Sequence, residues 1–372
     1  MGQDFVRLLK MIFLYSQILQ GQSWLRRYQG KQARFACILG FTATGLIPGI
    51  SAAGATPQDR EYTAIADAEF LVQGVQATPQ HSLPHLTTGA SPVFITRAIA
   101  ESCQLPTDIF NAGLLHPPTV EAIDLQGMAA NCVSSGRAMN KEIVKHLFQQ
   151  GMKWGAKLAV TTDYLIIGEC VVGGTTTALA VLSGLGVNAS GMVNSSHPCC
   201  NHEQKWLIVQ QGLQKSGLNN LSSVDPFDVV AAVGDPMQIV AAGMAITASR
   251  HGGVLLAGGT QMLAVYALIK QIINYTPLAA EIEQIVVGTT RWVAEDSTGD
   301  TIKLAQKIGG VSLLATGLNF ATSKYPSFRA YEAGYVKEGV GAGGCAIYAH
   351  LAKGKTSIQV LNIIENLFAQ YP

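Results

Sequence analysis

Apolar and polar positions along this chain predict short buried strands alternating with helices. Strands are expected at 34–40, 108–112, 164–167, 254–256, 284–287 and 311–314, where three to seven mostly apolar residues run together. Helices are expected at 12–29, 59–72, 93–103, 140–157, 175–182, 204–214, 228–249, 341–351 and 357–369. In the 140–157 segment Ile143, Val144, Leu147 and Met152 share one face. Short apolar strands alternating with helices imply a largely parallel sheet covered on both sides, an α/β architecture.

One stretch organises the rest: YLIIGECVVGGTTTALAVL, residues 164–182. It reads as a buried strand at 164–167, a glycine turn at 168–174 and a helix from Thr175. A strand, a flexible turn and a helix start aim backbone N–H groups and a positive dipole end at one spot, which seats a phosphate. Gly173, Gly174, Thr175 and Thr176 form that seat, with Glu169 on its rim. No lysine follows the glycine pair, so this is not a P-loop. An ordinary βα turn capped by threonines accounts for these residues equally well. Three other predicted strands also end in glycine and threonine, at ILGFT (38–42), LLAGGT (255–260) and VVGTT (286–290). Ligands of open α/β sheets bind beyond such carboxyl ends, where small residues allow close approach.

Composition narrows the class. Among 372 residues only 13% are charged and the net charge is +1, which gives no electrostatic reason to expect nucleic acid or an anionic membrane surface. Seven cysteines in mostly apolar stretches fit a reducing compartment with buried thiols. Residues 35–58, 170–202 and 251–269 lack Asp, Glu, Lys and Arg, but glycines, Pro48 and runs of Ser and Thr break them. A bilayer span needs about 20 predominantly apolar residues in one helix, so covered strands and helices explain them better than a membrane anchor. Arg7 and Lys10 before an apolar MIFLY faintly imitate a signal peptide, but no cleavage site follows. Cytoplasmic residence is the expectation.

The remaining candidate chemistry is sparse. Gly339–Gly344 (GVGAGG) satisfies a dinucleotide fingerprint, yet a poor strand precedes it and only 28 residues follow, too few for the βαβ unit. What stays is Glu338 at a glycine-rich helix start, a candidate general base or a solvated capping residue. His197, Cys199, Cys200 and His202 lie too close together to surround one tetrahedral ion, so no metal is expected. Lys205 could complete an anion site or be a surface lysine. His116, beside two prolines, is a loop hydrogen-bonder before it is a catalyst.

Taken together, GECVVGGTTTALA resembles the Gly-Glu-x-x-x-Gly-x-Thr-Thr loop of the nicotinate mononucleotide-dependent phosphoribosyltransferases. The similarity extends to IPGISAAGATPQDREYTAIADAEFL, GRAMNKE (136–142), VGDPMQIVAAGMA and KEGVGAGG, in the same order. It implies transfer of the phosphoribosyl group of nicotinate mononucleotide to a lower-ligand base, a benzimidazole or purine, in cobalamin nucleotide-loop assembly, with release of nicotinate. It also implies Glu338 as the catalytic carboxylate and substrate or phosphate binding by Glu169, Gly173, Gly174, Thr175, Thr176, Lys205, Gly339 and Gly341. Neither cofactor nor metal is implied. The fold so implied is a Rossmann-like large domain (34–330) with a small helical domain from both chain ends (11–33 and 331–372). Residues 1–10 are an extension, and the assembly is a homodimer. Two departures fall where the acceptor base should sit. FTATGLIPGIS replaces an Asp-His-Gly-Val segment, and Ala257-Gly258 replaces an Asp-Gly pair. The base therefore stays open, and a nucleotide-binding homologue without transferase activity is the alternative.

Overall fold

A computed structural model describes residues 3–84, 86, 88–218 and 224–371. Among them eight strands form one sheet. They are β1 (Ile12–Ser16), β2 (Ala33–Gly40), β3 (Thr107–Gly113), β4 (Ile123–Asp124), β5 (Tyr164–Cys170), β6 (Gly253–Ala257), β7 (Ile285–Thr290) and β8 (Ser312–Thr316). Their order is β1-β8-β7-β6-β5-β2-β3-β4, and every pairing is parallel except that of β1 with β8. This is the α/β fold with a largely parallel, helix-covered sheet that the strand and helix pattern implied.

Period-two alternation divides the core between two faces. Ala36, Ile38, Leu165 and Ile167 point to one face, covered by the helices Lys141–Ala159, Gly174–Gly184, Pro236–Ala248 and Thr260–Tyr275. Phe35, Cys37, Leu39, Tyr164 and Ile166 point to the other, under Ile18–Tyr28, Val93–Ser102, Ala342–Lys353 and Ser357–Phe368. Both faces are buried, so the strands read as apolar runs rather than as apolar–polar alternation.

Three segments differ from the sequence reading. Residues 12–29 are not one helix: Ile12–Ser16 is the antiparallel edge strand, and the helix begins at Ile18 after Gln17, which takes a left-handed φ of 45°. The apolar run IFLYS suits either state, and pairing with β8 decides it. Residues 228–249 are two helices, Pro226–Val233 and Pro236–Ala248. Pro236 has no N–H to continue the first helix, and Asp235 restarts the chain as a capping box with Gln238. Finally β5 runs on through Gly168, Glu169 and Cys170, so the turn begins only at Val171. The helix Gln3–Leu8 packs Phe5 and Leu8 into the core, with the Arg26 guanidinium 4.6 Å from the centre of the Phe5 ring. No helix among the described residues is long and apolar enough to cross a membrane.

The topology fixes where a ligand can enter. From β2 the chain builds outward through β3 and β4, then returns to β5 on the other side of β2 and builds away through β6, β7 and β8. The reversal lies between β2 and β5, and the crevice beyond their carboxyl ends is the natural binding position in such sheets.

Candidate active site

A cavity of about 400 Å³ occupies that crevice. Glu169 and Val171–Thr175 line one wall, Gly49–Ala55 and Arg60 a second, and Lys337–Val340 a third. Of the residues singled out from sequence, Glu169, Gly173, Gly174, Thr175, Glu338 and Gly339 border this one space. Thr176, Lys205 and Gly341 stand behind it.

The glycine loop is built by close approach. Gly173 caps the Gly174–Gly184 helix with a φ of 86°, which suits glycine. The amide of Gly174 donates to the Val171 carbonyl at 3.1 Å and that of Thr176 to Gly173 at 2.9 Å. The Thr177 amide reaches Gly173 at 3.3 Å, so within the first turn the Thr175 amide is the one without a backbone acceptor among the described residues. The Thr177 hydroxyl donates to Asp235 Oδ2 at 2.5 Å. Asp235, from the VGDP motif, thus ties the start of one helix to the start of another. Thr176 is fully buried, and its hydroxyl has no partner among the described residues.

Glu169, next to last in β5, is nearly buried, and its Oε2 accepts the Val171 amide at 2.8 Å. Burial, followed by the neighbouring Asp235 charge, pushes its carboxyl up to about 8. At neutral pH it is mostly uncharged, which removes the repulsion that a rim carboxylate would exert on a phosphate.

The segment carrying Glu338 is the most constrained backbone in the cavity. Val336, Lys337 and Val340 all have left-handed φ values, of 66°, 74° and 52°. Residues without glycine's freedom pay on the order of 1 to 3 kcal/mol each for such conformations. Two successive three-residue turns, Lys337 N–H to Tyr335 O at 2.8 Å and Glu338 N–H to Val336 O at 3.0 Å, hold the bend. Several contacts over-determine it. The Lys337 ammonium, almost fully buried, pairs with Asp296 at 2.5 Å. The Thr290 hydroxyl donates to the Lys337 carbonyl at 2.6 Å, and the Val340 amide to the Glu169 carbonyl at 3.1 Å.

Glu338 is consequently fixed by the ends of β7 and of the Ala342–Lys353 helix. Its Oε2 accepts the Thr289 hydroxyl and the Thr290 amide, both at 2.8 Å. Its Oε1 accepts the amides of Gly343 at 2.9 Å and Gly339 at 3.3 Å. Burial raises its pKa more than these donors lower it. Gly341 matters for packing: it caps the helix with a φ of 71° and lies against Phe35.

Two sequence-level expectations change here. Lys205 is fully buried and donates to the Asn194 carbonyl, and burial lowers its pKa to about 8; it neither borders the cavity nor lies on the surface. Lys337 borders it but is already paired with Asp296; the other bordering cation is Arg60, which sequence reading missed because an arginine in a helix's first turn carries no distinctive spacing. Its Nη1 donates to the carbonyls of Gly45 and Ile47 at 3.0 and 2.9 Å, and its Nε to Gly54 at 3.2 Å. Gly45 packs against the Val172–Gly173 backbone, so the guanidinium is locked beside the glycine loop. His197 also borders the cavity. Its pKa is lowered by burial first and then by the charges of Lys205, Arg60 and Lys337.

The other histidines and cysteines go separate ways. His202 Nε2 meets the Thr298 carbonyl at 2.6 Å, and the Cys200 thiol points to Asp296. His116 bonds Glu61 at 3.1 Å and stacks on Tyr62.

Known proteins share both the sequence and the fold. A family model described as phosphoribosyltransferase matches residues 52–277. A UPF0284 protein of Gloeothece citriformis is 65% identical over 362 residues, covering 97% of each chain. One from Rippkaea orientalis is 63% identical over 360 residues, covering 96% of this chain and 98% of that one. Among solved structures, the nicotinate-nucleotide–dimethylbenzimidazole phosphoribosyltransferase of Thermus thermophilus superposes with a TM-score of 0.60. It is 14% identical, and the alignment covers 98% of this chain and 94% of that one. CobT from the same organism gives 0.59 at 15% identity, covering 98% and 96%. At that identity the likeness bears on the fold.

Proposed function

The chain belongs to the phosphoribosyltransferase family, and from that premise we propose that it moves the phosphoribosyl group of nicotinate mononucleotide to a benzimidazole or purine base, releasing nicotinate. The observation that carries this reading is the shared cavity of Thr175 and Glu338, which the sequence separates by more than 160 residues.

The chemistry needs few groups. The phosphate sits at the start of the Gly174–Gly184 helix, where the Thr175 amide and the helix dipole meet it and Arg60 supplies a fixed cation. A nitrogen of the acceptor base attacks the anomeric carbon as the bond to the pyridinium nitrogen breaks. That bond's electron pair neutralises the pyridinium, so nicotinate needs no acid to depart. The acceptor's N–H proton passes to Glu338, which must be ionised to take it. Attack opposite the leaving group inverts the anomeric centre from β to α. Rigid placement of both reactants supplies much of the rate, through proximity and orientation. The constrained Val336–Val340 segment and the glycine loop are suited to that placement.

A role in cobalamin nucleotide-loop assembly belongs to the same reading. The test is direct: purified chain is incubated with nicotinate mononucleotide and a panel of bases, and nicotinate release is followed together with formation of the α-riboside phosphate. Nucleotide binding without release under every base would favour a homologue that binds but does not transfer.

A further inference from the structure

We propose that Cys199 and Cys200 form a reversible vicinal disulfide by exchange with a low-molecular-weight disulfide, and that this bond lowers turnover by disturbing the support of Glu338. The bond stands by itself; its effect on turnover rests on the transferase reading. The pair lies in a stretch that the reaction leaves unused. Asn194–Pro198 border the cavity, and the two cysteines come next, just before the His202–Ser216 helix. Four of the seven cysteines are buried, whereas Cys199 is exposed and Cys200 half-buried. An accessible thiol with a second thiol beside it is what an attacking and a resolving cysteine require.

Cys200 connects this loop to the bend that carries Glu338. Its thiol donates to Asp296 Oδ2 at 3.7 Å, and the same oxygen accepts the Lys337 ammonium at 2.5 Å and the Asn194 side-chain amide at 3.0 Å. The Thr298 hydroxyl accepts the Cys200 backbone N–H at 3.2 Å and also lies 3.2 Å from its sulfur. Lys337 immediately precedes Glu338 and has a left-handed φ of 74°. Among the groups that favour a charged Lys205, Cys200 stands ahead of Asp296, so a thiolate formed there meets a buried cation.

The exchange balances in two steps. The Cys199 thiolate attacks one sulfur of the small disulfide and expels the other as a thiolate. The Cys200 thiolate then attacks the Cys199 sulfur and expels the second small thiolate. The two protons lost by the cysteines pass to the two thiolates released, so one disulfide is reduced as another forms. Adjacent Cα atoms stand about 3.8 Å apart across a trans peptide, below the roughly 4.4 to 6.8 Å usual for a disulfide. Closing the ring therefore shifts the backbone, strains the Cys200 amide's bond to Thr298 and withdraws the sulfur from Asp296. The same strain keeps the bond easily reduced.

The intact chain is equilibrated with reduced and oxidised glutathione over a series of ratios. Peptide mass analysis should show a loss of two hydrogens confined to Cys199 and Cys200 and reversed by dithiothreitol. Nicotinate release by the oxidised chain should fall at least about 10-fold, since misplacing a reacting group by about 1 Å costs about 100-fold. Its thermal midpoint should drop by at least about 2 °C. Cys199→Ser should release nicotinate like the reduced parent and keep that rate within about twofold at every ratio. Absence of the ring at every ratio, or a glutathione adduct that persists in its place, overturns the proposal. So does a ring that leaves release unchanged. A reduced chain that releases no nicotinate with any base removes the transferase reading alone; mass then decides the bond, and the midpoint decides its coupling to the bend.

Discussion

The carboxylate of Glu338 accepts the backbone N–H of Gly343 at 2.9 Å, in the first turn of the helix that follows it. That bond joins the constrained bend to a helix dipole, and the Thr289 and Thr290 donors join it to β7. Glu338 is therefore positioned by the sheet and not by a free loop.

Replacing Glu338 with Gln should leave nucleotide binding nearly intact while cutting turnover at least about 100-fold. An amide group in this nest would turn its NH2 toward backbone donors, so the variant should also lose about 1 to 3 kcal/mol of stability. Single-turnover nicotinate release, nucleotide titration and a thermal melt separate the effects. Normal turnover would mean that another group takes the proton.

Gly343 is required by space. A Cβ there would stand 2.2 Å from the Thr289 carbonyl carbon and 2.6 Å from Glu338 Oε2. Gly343→Ala should therefore push the Ala342–Lys353 helix off the end of β7 and destabilise the protein by roughly 1 to 3 kcal/mol. Turnover should fall as well, because the bond to Glu338 lengthens. An unchanged melting temperature together with unchanged turnover would refute the close packing.

Much of this was legible in the sequence, for physical reasons that can be named. Strands buried on both faces, such as β2 and β5, announce themselves as apolar runs, and of the four glycine–threonine strand ends two, Gly173–Thr175 and Gly259–Thr260, border the cavity. Edge strand β1 was not legible, because its apolar run is as compatible with a helix as with pairing to β8. The break at Asp235 was signalled by Asp-Pro, but the apolar flanks on both sides concealed it. Arg60 lay inside the IPGISAAGATPQDREYTAIADAEFL stretch, but no local spacing singled it out. Its significance comes from which cavity it borders, a tertiary property, whereas Lys205 looked like a ligand and proved to be buried against Asn194.

Arg60 allows phosphate recognition to be tested apart from ring recognition. Its Nη1 and Nε are held by three carbonyls, which pre-organises the guanidinium at little entropic cost on binding. Arg60→Lys should weaken nicotinate mononucleotide binding about 10-fold or more while leaving nicotinate riboside, which lacks the phosphate, nearly unaffected. Calorimetric titration of both ligands checks this. Equal weakening of the two would show that Arg60 acts through loop structure and not on the phosphate.

Stability should fall as pH rises, and the sign follows from Glu169. Its carboxyl ordinarily titrates near 4.5 and stands at about 8 in the folded chain, because burial and the Asp235 charge oppose ionisation. Between those values the folded state holds a proton that the unfolded state has released. The associated stabilisation is thus complete below about 4.5 and is lost as pH climbs through about 8. Asp235, raised from 3.8 to about 6 by burial, adds loss of the same sign in the lower part of the window. Thermal melts across that interval should show a declining midpoint, equivalent to a few kcal/mol. Glu169→Gln, an uncharged near-isostere, should flatten the decline above about pH 6 while barely altering stability below about pH 4.5, where folded and unfolded chains both hold the proton. A variant that declines as steeply as the parent would mean that Glu169 is ionised in the folded protein, and its neutrality toward a bound phosphate would have to be abandoned.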